Sequence, residues 1–399
     1  MKINKTILLA VLGVSVAGIA SADEIFLTGS TAARAAVYQT MTNPGCVFQS
    51  APIQTLFGGS GSGDTYMAFT GTLVGGSGST TINCTWSGSE AGIVDVATPG
   101  GKDETFMADS YWQNASGNSD NTTGPASTQQ HFVDVCMADN SQAYSPAGSL
   151  LPAVANQQYV GVVPFRWLRN DGLWTGSNVT DSQIRQALSG GAKLAVFTGN
   201  AADTNSYVYV AGRDNSSGTR VNAFGDTGFG IATSPKQIEI NSANGAMVST
   251  TVHGSTKYAA DFGQSSGGTL AKTIGVQAST ITVTDMVNHV SGYSAIAYLG
   301  ISDSTTATNS TYQATILSYN GIPWSISSLE EGTYTFWGNE NVLETGNTYS
   351  GQSLNVGLVF TDLTSPTTGI TSQADGNILV PISAMHCTRQ GPGADPVHN

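Results

Sequence analysis

The chain has 399 residues, only 10% of them charged, and its formal net charge is −13 at pH 7. Nucleic acid and anionic membrane surfaces are poor partners for so acidic a protein. The length suits two lobes of ordinary size or one large β domain.

The first 22 residues have the pattern of a secretory signal peptide. Lys2 and Lys5 precede an apolar stretch at 7–19, and a small-residue cleavage sequence ends at Ala22. The apolar stretch is short for a membrane span. We therefore expect an exported mature protein, periplasmic or secreted, that is not inserted in a membrane once the signal is removed.

The cysteines and histidines do not indicate a metal site. The four cysteines, Cys46, Cys84, Cys136 and Cys387, have no CxxC spacing, and the five histidines are scattered. In an oxidising compartment the cysteines could form up to two disulfides, or they could remain buried free thiols. The sequence leaves both possibilities open and indicates no cofactor.

Strands alternate with helices along much of the chain, starting with an apolar strand at 24–28, the turn Gly29-Ser30-Thr31 and a helix at 32–41 for which Ser30 is a natural N-cap. A capping box at Thr180 and Gln183 begins the most clearly marked helix, which ends at Gly190. The other predicted elements are a hairpin (65–73 and 80–86), a helix (90–96), a surface insertion (98–130), strands at 131–137, 159–168 and 207–211, helices at 220–224, 257–261 and 267–274, a strand at 293–301, a loop and hairpin (316–329) and a last strand at 332–337. This alternation favours an α/β fold over a β-sandwich.

The stretch from Val208 to Arg220 is an anion site in outline. Its strand ends at Arg213, and Ser217-Gly218-Thr219 then opens a helix. Free N–H groups at a helix start attract negative charge, and a guanidinium forms charge-assisted bonds with an oxyanion. Gly29-Ser30-Thr31 and Ser87-Gly88-Ser89 are similar turns elsewhere in the chain.

Seven motifs in order resemble the phosphate-binding proteins of bacterial ABC phosphate-uptake transporters, a type II periplasmic binding protein family. The motifs are Gly29-Ser30-Thr31-Ala32, 133–139, Val163-Pro164-Phe165, 179–185, Arg213 with Ser217-Gly218-Thr219, 292–298, and 320–323 followed by 332–334. The resemblance covers almost the whole mature chain. It implies two α/β lobes joined by crossing hinge strands, with lobe I at 23–158 and 302–399 and lobe II at 159–301.

The resemblance also implies a ligand, partners and a set of site residues. The ligand would be phosphate or a related oxyanion bound between the lobes of a monomer that is not an enzyme, with an ABC permease as partner. Asp139 would accept the ligand's proton. The donors would be Ser30, Thr31, Ser89, Arg213, Ser217, Gly218 and Thr219.

Two departures from the family pattern concern Ser89, and the first is that the insertion between Val96 and Gln130 separates it from Asp139 more widely than is usual. The second is that Glu90 follows Ser89 where a small residue is usual, and a carboxylate there would repel an anion. Ser60 or Ser62, in an earlier Gly-rich loop, could fill the role of Ser89 instead.

Two other functions compete with solute binding. A surface or extracellular protein could keep the fold without tight phosphate binding, and the polar insertion at 98–130 motivates this alternative. The sequence Gly263-Gln264-Ser265-Ser266-Gly267 matches the G-x-S-x-G pattern of hydrolases, but the predicted helix at 257–261 stands where that pattern needs a strand.

Overall fold

The computed structural model describes residues 23–113, 115–275, 282–345, 353–373 and 379–398. The predicted signal peptide lies outside the described residues. Twelve strands form one sheet. They are β1 (Asp23–Gly29), β2 (Ile53–Phe57), β3 (Tyr66–Gly71), β4 (Thr80–Thr85), β5 (Ser119–Asn121), β6 (Val135–Ala138), β7 (Asn156–Arg169), β8 (Ala192–Lys193), β9 (Tyr207–Val210), β10 (Ser294–Gly300), β11 (Thr315–Ile316) and β12 (Trp337–Glu344).

Helices cover the sheet. The described α-helices are α1 (Arg34–Thr42), α2 (Ser89–Ala97), α3 (Asp181–Leu188), α4 (Ala195–Thr198), α5 (Gly218–Asp226), α6 (Gly267–Ile274), α7 (Ile301–Ala307), α8 (Ile326–Glu330) and α9 (Ser353–Thr364). Short strands also pair outside the sheet: Asp103–Met107 with Thr128–Phe132, Asn178–Val179 with Ser318–Tyr319, Glu239–Ile240 with Met247–Val248, Thr250–Val252 with Ser255–Lys257, Thr284–Asp285 with Val290–Ser291, and Cys387–Thr388 with Val397–His398.

The strand order divides the molecule into two lobes. The sheet runs β8-β9-β10-β7-β12-β6-β1-β4-β3-β2-β5, and β11 pairs with β7. The central strands β7 and β12 are antiparallel to each other. The far end of β7 pairs with β10, while β12 also pairs with β6. These two strands therefore belong to both halves of the sheet, and the protein has the two-lobed α/β fold with crossing strands that the sequence predicts.

Aromatic side chains pack where the two lobes meet. The Trp167 ring lies 5.2 Å from that of Phe336 and 5.5 Å from that of Tyr298, and all three side chains are fully buried. Aromatic pairs of this kind contribute about 0.5–1.5 kcal/mol each beyond the burial of their area. The crossing point is thus well packed.

Several predicted elements are confirmed. The Thr180 side chain accepts from Gln183 N and the Gln183 side chain from Thr180 N, which is the predicted capping box of α3. Helix α6 has the predicted bounds, and β1, β7 and β10 lie where strands were expected. The correctly predicted elements are those that have a clear capping box or a clear apolar run.

The prediction of a surface insertion at 98–130 is wrong in part. Two strands of a hairpin begin and end this region, and Phe106, Met107 and Trp112 are buried against the sheet. Asn83 Nδ2 donates to Met107 O at 2.9 Å. Three apolar side chains anchor a segment that is otherwise mostly polar. Its composition therefore did not indicate that part of it packs against the sheet.

Three predicted strands differ from those found. The run 131–137 is broken, because the Asp134 carboxylate accepts from Phe26 N at 2.9 Å and separates β6 from the hairpin strand that ends at Phe132. The strand predicted at 332–337 is irregular, and β12 begins only at Trp337. The predicted hairpin at 316–329 consists of short bridging strands and the helix α8. Helix α9 was not predicted.

The predicted helix at 257–261 is also wrong. Ser255–Lys257 is an exposed strand, and Ala260 bridges to Gln237. No helix at 257–261 therefore precedes the G-x-S-x-G sequence, and Ser266 of that sequence serves as the N-cap of α6, where it accepts from Thr269 N at 3.1 Å.

The four cysteines are free thiols, and all four are buried. Of the two alternatives that the sequence left open, the structure has the one without disulfides. Within the described ranges, no group of His, Cys, Asp or Glu side chains could hold a metal ion. No helix in the same ranges is long and apolar enough to cross a membrane.

Candidate functional site

The first turn of the candidate site follows β1. Gly29 has φ 127°, and a Cβ there would overlap Met137 O, so the turn needs glycine. Ser30 Oγ accepts from Ala32 N at 3.1 Å and from Ala33 N at 3.2 Å. Ser30 therefore satisfies the N–H groups that precede α1, as a capping residue would, although the helix itself begins at Arg34.

Three turns meet at one residue, Asp139. Ser30 Oγ donates to Asp139 Oδ1, and Thr219 Oγ1 donates to Asp139 Oδ2 at 3.1 Å. Ser89 Oγ accepts from Asp139 N at 3.1 Å. Ser30 and Ser89 come from one lobe and Thr219 from the other, and all four residues are at most 3% exposed. We call these four residues the Asp139 cluster.

The second lobe contributes the start of α5. Ser217 Oγ accepts from Arg220 N at 3.3 Å and so caps the helix. A Cβ at Gly218 would lie 2.5 Å from Ser89 Oγ, so only glycine allows the lobes to approach this closely. Ser216 O also accepts from Glu90 N at 2.9 Å across the cleft. The starts of α2 and α5 therefore contact each other in this closed arrangement.

Arg213 is buried beside the Asp139 cluster without a carboxylate partner. It is 3% exposed, and it donates from Nε to Gln264 O and from Nη2 to Ser265 O, each at 3.0 Å. Among the described residues it forms no ion pair within 4.0 Å, and Nη1 makes no hydrogen bond. Its charge opposes the effect of burial on the pKa of Asp139. Both N–H groups of Nη1 thus remain for a ligand.

Asp139 has an acidic neighbour that sequence reasoning missed. Burial raises the pKa of Asp139, while bonds from Ser30 and Thr219 act in the opposite direction. Glu340 is fully buried, and burial together with the charge of Asp139 raises its pKa well above the ordinary value. Neither Glu340 oxygen accepts a hydrogen bond from a described donor. The carboxyl groups of Glu340 and Asp139 can therefore bond to each other only by sharing a proton.

The Glu90 carboxyl group has two hydrogen-bond partners of its own. It accepts from Asn140 Nδ2 at 2.9 Å and from Ser145 Oγ at 2.6 Å. Burial raises the pKa of Glu90 to about 7. The carboxyl group that the sequence placed in conflict with an anion is thus satisfied by neutral donors of its own lobe.

Thr31 lies apart from the Asp139 cluster, in a cavity of about 80 Å³ within the cleft. The polar residues of its wall are Thr31, Arg34, Ser62, Ser302 and Asp303. We call it the Arg34 cavity. Ser62 was one of the two alternatives to Ser89, and Ser60 does not line this wall. Arg34 and Asp303 were missed. The signal available for Arg34 was a basic residue three positions after Thr31 in a chain with few cations.

Two solved structures are similar to this chain over most of its length. A candidate phosphate ABC transporter substrate-binding protein from Clostridium perfringens, solved with bound phosphate, is similar with 10% identity and a TM-score of 0.48, over 90% of this chain and 100% of that one. An ABC-type phosphate transport receptor from Vibrio cholerae is similar with 12% identity and a TM-score of 0.39, over 85% and 94%. Both TM-scores are below 0.5, so the two-lobed description rests on the strand order of this chain.

Sequence comparisons gave no relative. No model of a protein family matches the chain, and no curated protein matches it at a significant level.

Proposed function

We propose that the protein is an exported solute-binding protein that binds phosphate or a related oxyanion between its lobes, for uptake by an ABC permease. One observation carries the proposal. Hydroxyl groups from both lobes, Ser30 and Thr219, bond to the same carboxylate, Asp139, beside a buried guanidinium that forms no ion pair with a described residue. An anion that displaced these bonds would contact both lobes at once. In this proposal lobe I comprises 23–158 and 302–399, and lobe II comprises 159–301.

The donors suit a tetrahedral oxyanion. Ser30, Ser89 and Thr219 carry hydroxyl groups, and the starts of α2 and α5 add backbone N–H groups and positive dipole ends. Arg213 would supply the charge-assisted bond through Nη1, with Ser217 and Gly218 beside it and Thr31 at the edge of the cleft. These residues are the proposed ligand contacts.

Asp139 supports discrimination between oxyanions. Phosphate keeps a proton at neutral pH, whereas sulfate does not. An ionised Asp139 accepts a hydrogen bond from that proton but repels a fully deprotonated anion, and a buried mismatch of this kind is costly.

Isothermal titration of the mature protein with phosphate, arsenate and sulfate tests the proposal. We expect saturable heat with phosphate and arsenate and a much weaker response to sulfate. Small-angle scattering should show a more compact protein with phosphate bound, because a ligand that contacts both lobes favours the closed state. The absence of heat with all three anions would overturn the proposal.

The alternative is a surface protein that keeps the fold without tight phosphate binding. The closed packing of the Asp139 cluster favours it, since Ser30, Asp139 and Thr219 already satisfy one another. The insertion that motivated this alternative supports it less, because Phe106 and Met107 anchor part of that segment in the fold. The phosphate titration decides between the two functions.

A further inference from the structure

The Arg34 cavity offers space that the Asp139 cluster lacks. The residues of the cluster bond directly to one another, whereas the cavity beside them has a volume of about 80 Å³. A single water molecule needs roughly 10–15 Å³ of such space. The cavity therefore admits a small group of several atoms.

Opposite charges face this space without being paired. Arg34 donates from Nη1 to the main-chain oxygen of Asp64 at 3.3 Å, and in the described part of the chain it forms no ion pair. Asp303, on the cavity wall at the start of α7, accepts no hydrogen bond from a described residue and likewise forms no ion pair. A cation and an anion that line one cavity without contacting each other leave both charges available to a ligand.

The cavity lies next to residues of the proposed oxyanion site. Thr31 on its wall follows Ser30 of the Asp139 cluster. On the other side, a Cβ placed at Gly267 would overlap Asp303 Oδ2 and would lie 3.5 Å from Arg213 Nη1. A ligand held by Arg213 could thus extend a substituent between Arg34 and Asp303.

We propose that the Arg34 cavity is a subsite for a zwitterionic substituent, so that the cleft takes a small phosphorylated α-amino acid. The substituent's carboxylate would bind Arg34 through charge-assisted bonds, and its ammonium group would bind Asp303. This inference rests on the proposed function, because the phosphate end of the ligand would occupy the oxyanion site.

The charge balance selects this class of substituent. Arg34 and Asp303 supply one charge of each sign on the cavity wall, and Asp64 and Arg213, which do not line the wall, add one more of each sign within electrostatic range of Arg34. A second anionic group would meet the repulsion of Asp303, and a purely cationic group that of Arg34. A group with one charge of each sign and no net charge meets neither.

Titration of the mature protein with four probes tests the subsite. The probes are phosphate, O-phosphoserine, phosphoethanolamine, which lacks the carboxylate, and serine, which lacks the phosphate. We expect O-phosphoserine to bind at least tenfold more tightly than phosphate, phosphoethanolamine to bind less tightly than O-phosphoserine, and serine to bind most weakly. O-phosphoserine that binds no better than phosphate would overturn the subsite and leave the proposed function standing.

Two variants locate the effect. Arg34→Gln should reduce the affinity for O-phosphoserine to about that for phosphoethanolamine, and Asp303→Asn should also remove most of the advantage over phosphate. Neither should change phosphate affinity by more than about threefold. Lys193→Gln, at an exposed position of β8, is the control.

Equal losses of affinity for phosphate and O-phosphoserine would contradict the subsite. The titration of the wild-type protein with the four probes decides the matter even if a variant misfolds. If no probe binds, both the subsite and the proposed function fail.

Discussion

Two buried arginines of this protein have opposite surroundings. Arg389, near the C-terminus, donates from Nη1 to Asp226 Oδ1 at 3.0 Å, and its guanidinium lies 4.1 Å from the centre of the Trp337 ring. Arg213, in the cleft, is similarly buried, but among the described residues its guanidinium donates only to the main-chain oxygens of Gln264 and Ser265.

The difference indicates different roles. An arginine that is paired with a carboxylate and stacked on an indole has its charge compensated within the fold, and its loss leaves the carboxylate uncompensated. An arginine whose bonds go only to neutral oxygens has no carboxylate bonded to it, so its remaining N–H groups stay available to an anion. Burial alone therefore does not separate a structural arginine from a ligand-binding one, whereas the partners do.

The largest expected effect is on the structural arginine. Arg389→Met should lower the free energy of unfolding by about 3–5 kcal/mol, because Asp226 stays buried without its partner. Urea unfolding followed by circular dichroism measures this. The double variant Arg389→Met/Asp226→Leu removes both charges and should recover most of the loss. A double variant that is no more stable than the single one would show that packing on Trp337, and not charge, is what Arg389 contributes.

The ligand-binding arginine should show the reverse pattern. Arg213→Ala should weaken phosphate binding by about 2–5 kcal/mol, by analogy with breaking a desolvated charge pair. This corresponds to roughly one and a half to four decades in affinity. Its stability should change less than that of Arg389→Met. Calorimetric titration measures the affinity, with Lys193→Ala as an exposed control, and parent-like phosphate binding by Arg213→Ala would place the anion elsewhere.

A buried carboxyl group beside the cleft should make stability depend on pH. The pKa of Glu90 is raised from 4.5 to about 7 by burial. The stability that depends on neutral Glu90 is complete below its ordinary pKa of 4.5, where Glu90 is protonated in both the folded and the unfolded protein. This stability is lost as pH rises towards 7, because Glu90 then ionises freely only in the unfolded chain. The loss is roughly 3 kcal/mol.

Glu90→Gln should remove this part of the pH dependence. Unfolding free energies measured at pH 4.5 and pH 8 should differ less in the variant than in the parent, while Asp395→Asn, at an exposed position, should change nothing. An identical pH dependence in Glu90→Gln and the parent would show that Glu90 ionises normally in the folded protein.

The smallest expected effect is on selectivity at the Asp139 cluster. In Asp139→Asn the amide still accepts a bond from protonated phosphate but no longer repels sulfate. We expect a smaller loss of phosphate affinity than in Arg213→Ala, together with weaker discrimination against sulfate. Competition between the two anions measures this, and unchanged discrimination would mean that another group, such as Glu340, sets the selectivity.

The sequence located the elements with strong local signals. The capping box at Thr180 and the helix start at Ser217 depend on neighbouring residues, and both were found where they were predicted. The strand β12 was placed too early, because its run of Gly, Asn and Glu does not look like a buried strand. Glu340 within it interacts with Asp139, a residue that is distant in sequence.

The candidate site was predictable to a similar extent. Ser30, Ser89, Asp139 and Thr219 were chosen from separate motifs, and the structure brings them together. Whether they bind phosphate stays a prediction. The Arg34 cavity was not predictable, because it depends on where α7 places Asp303 relative to α1, and no local pattern encodes that distance.

The position of β12 has a consequence for how the chain is made. This strand comes from residues 337–344 but lies in the middle of the sheet, between β7 and β6. The two lobes therefore cannot join until most of the chain has been synthesised, and folding that waits for such distant contacts is slow. The partly synthesised chain therefore lacks the centre of its sheet until residues 337–344 have been added.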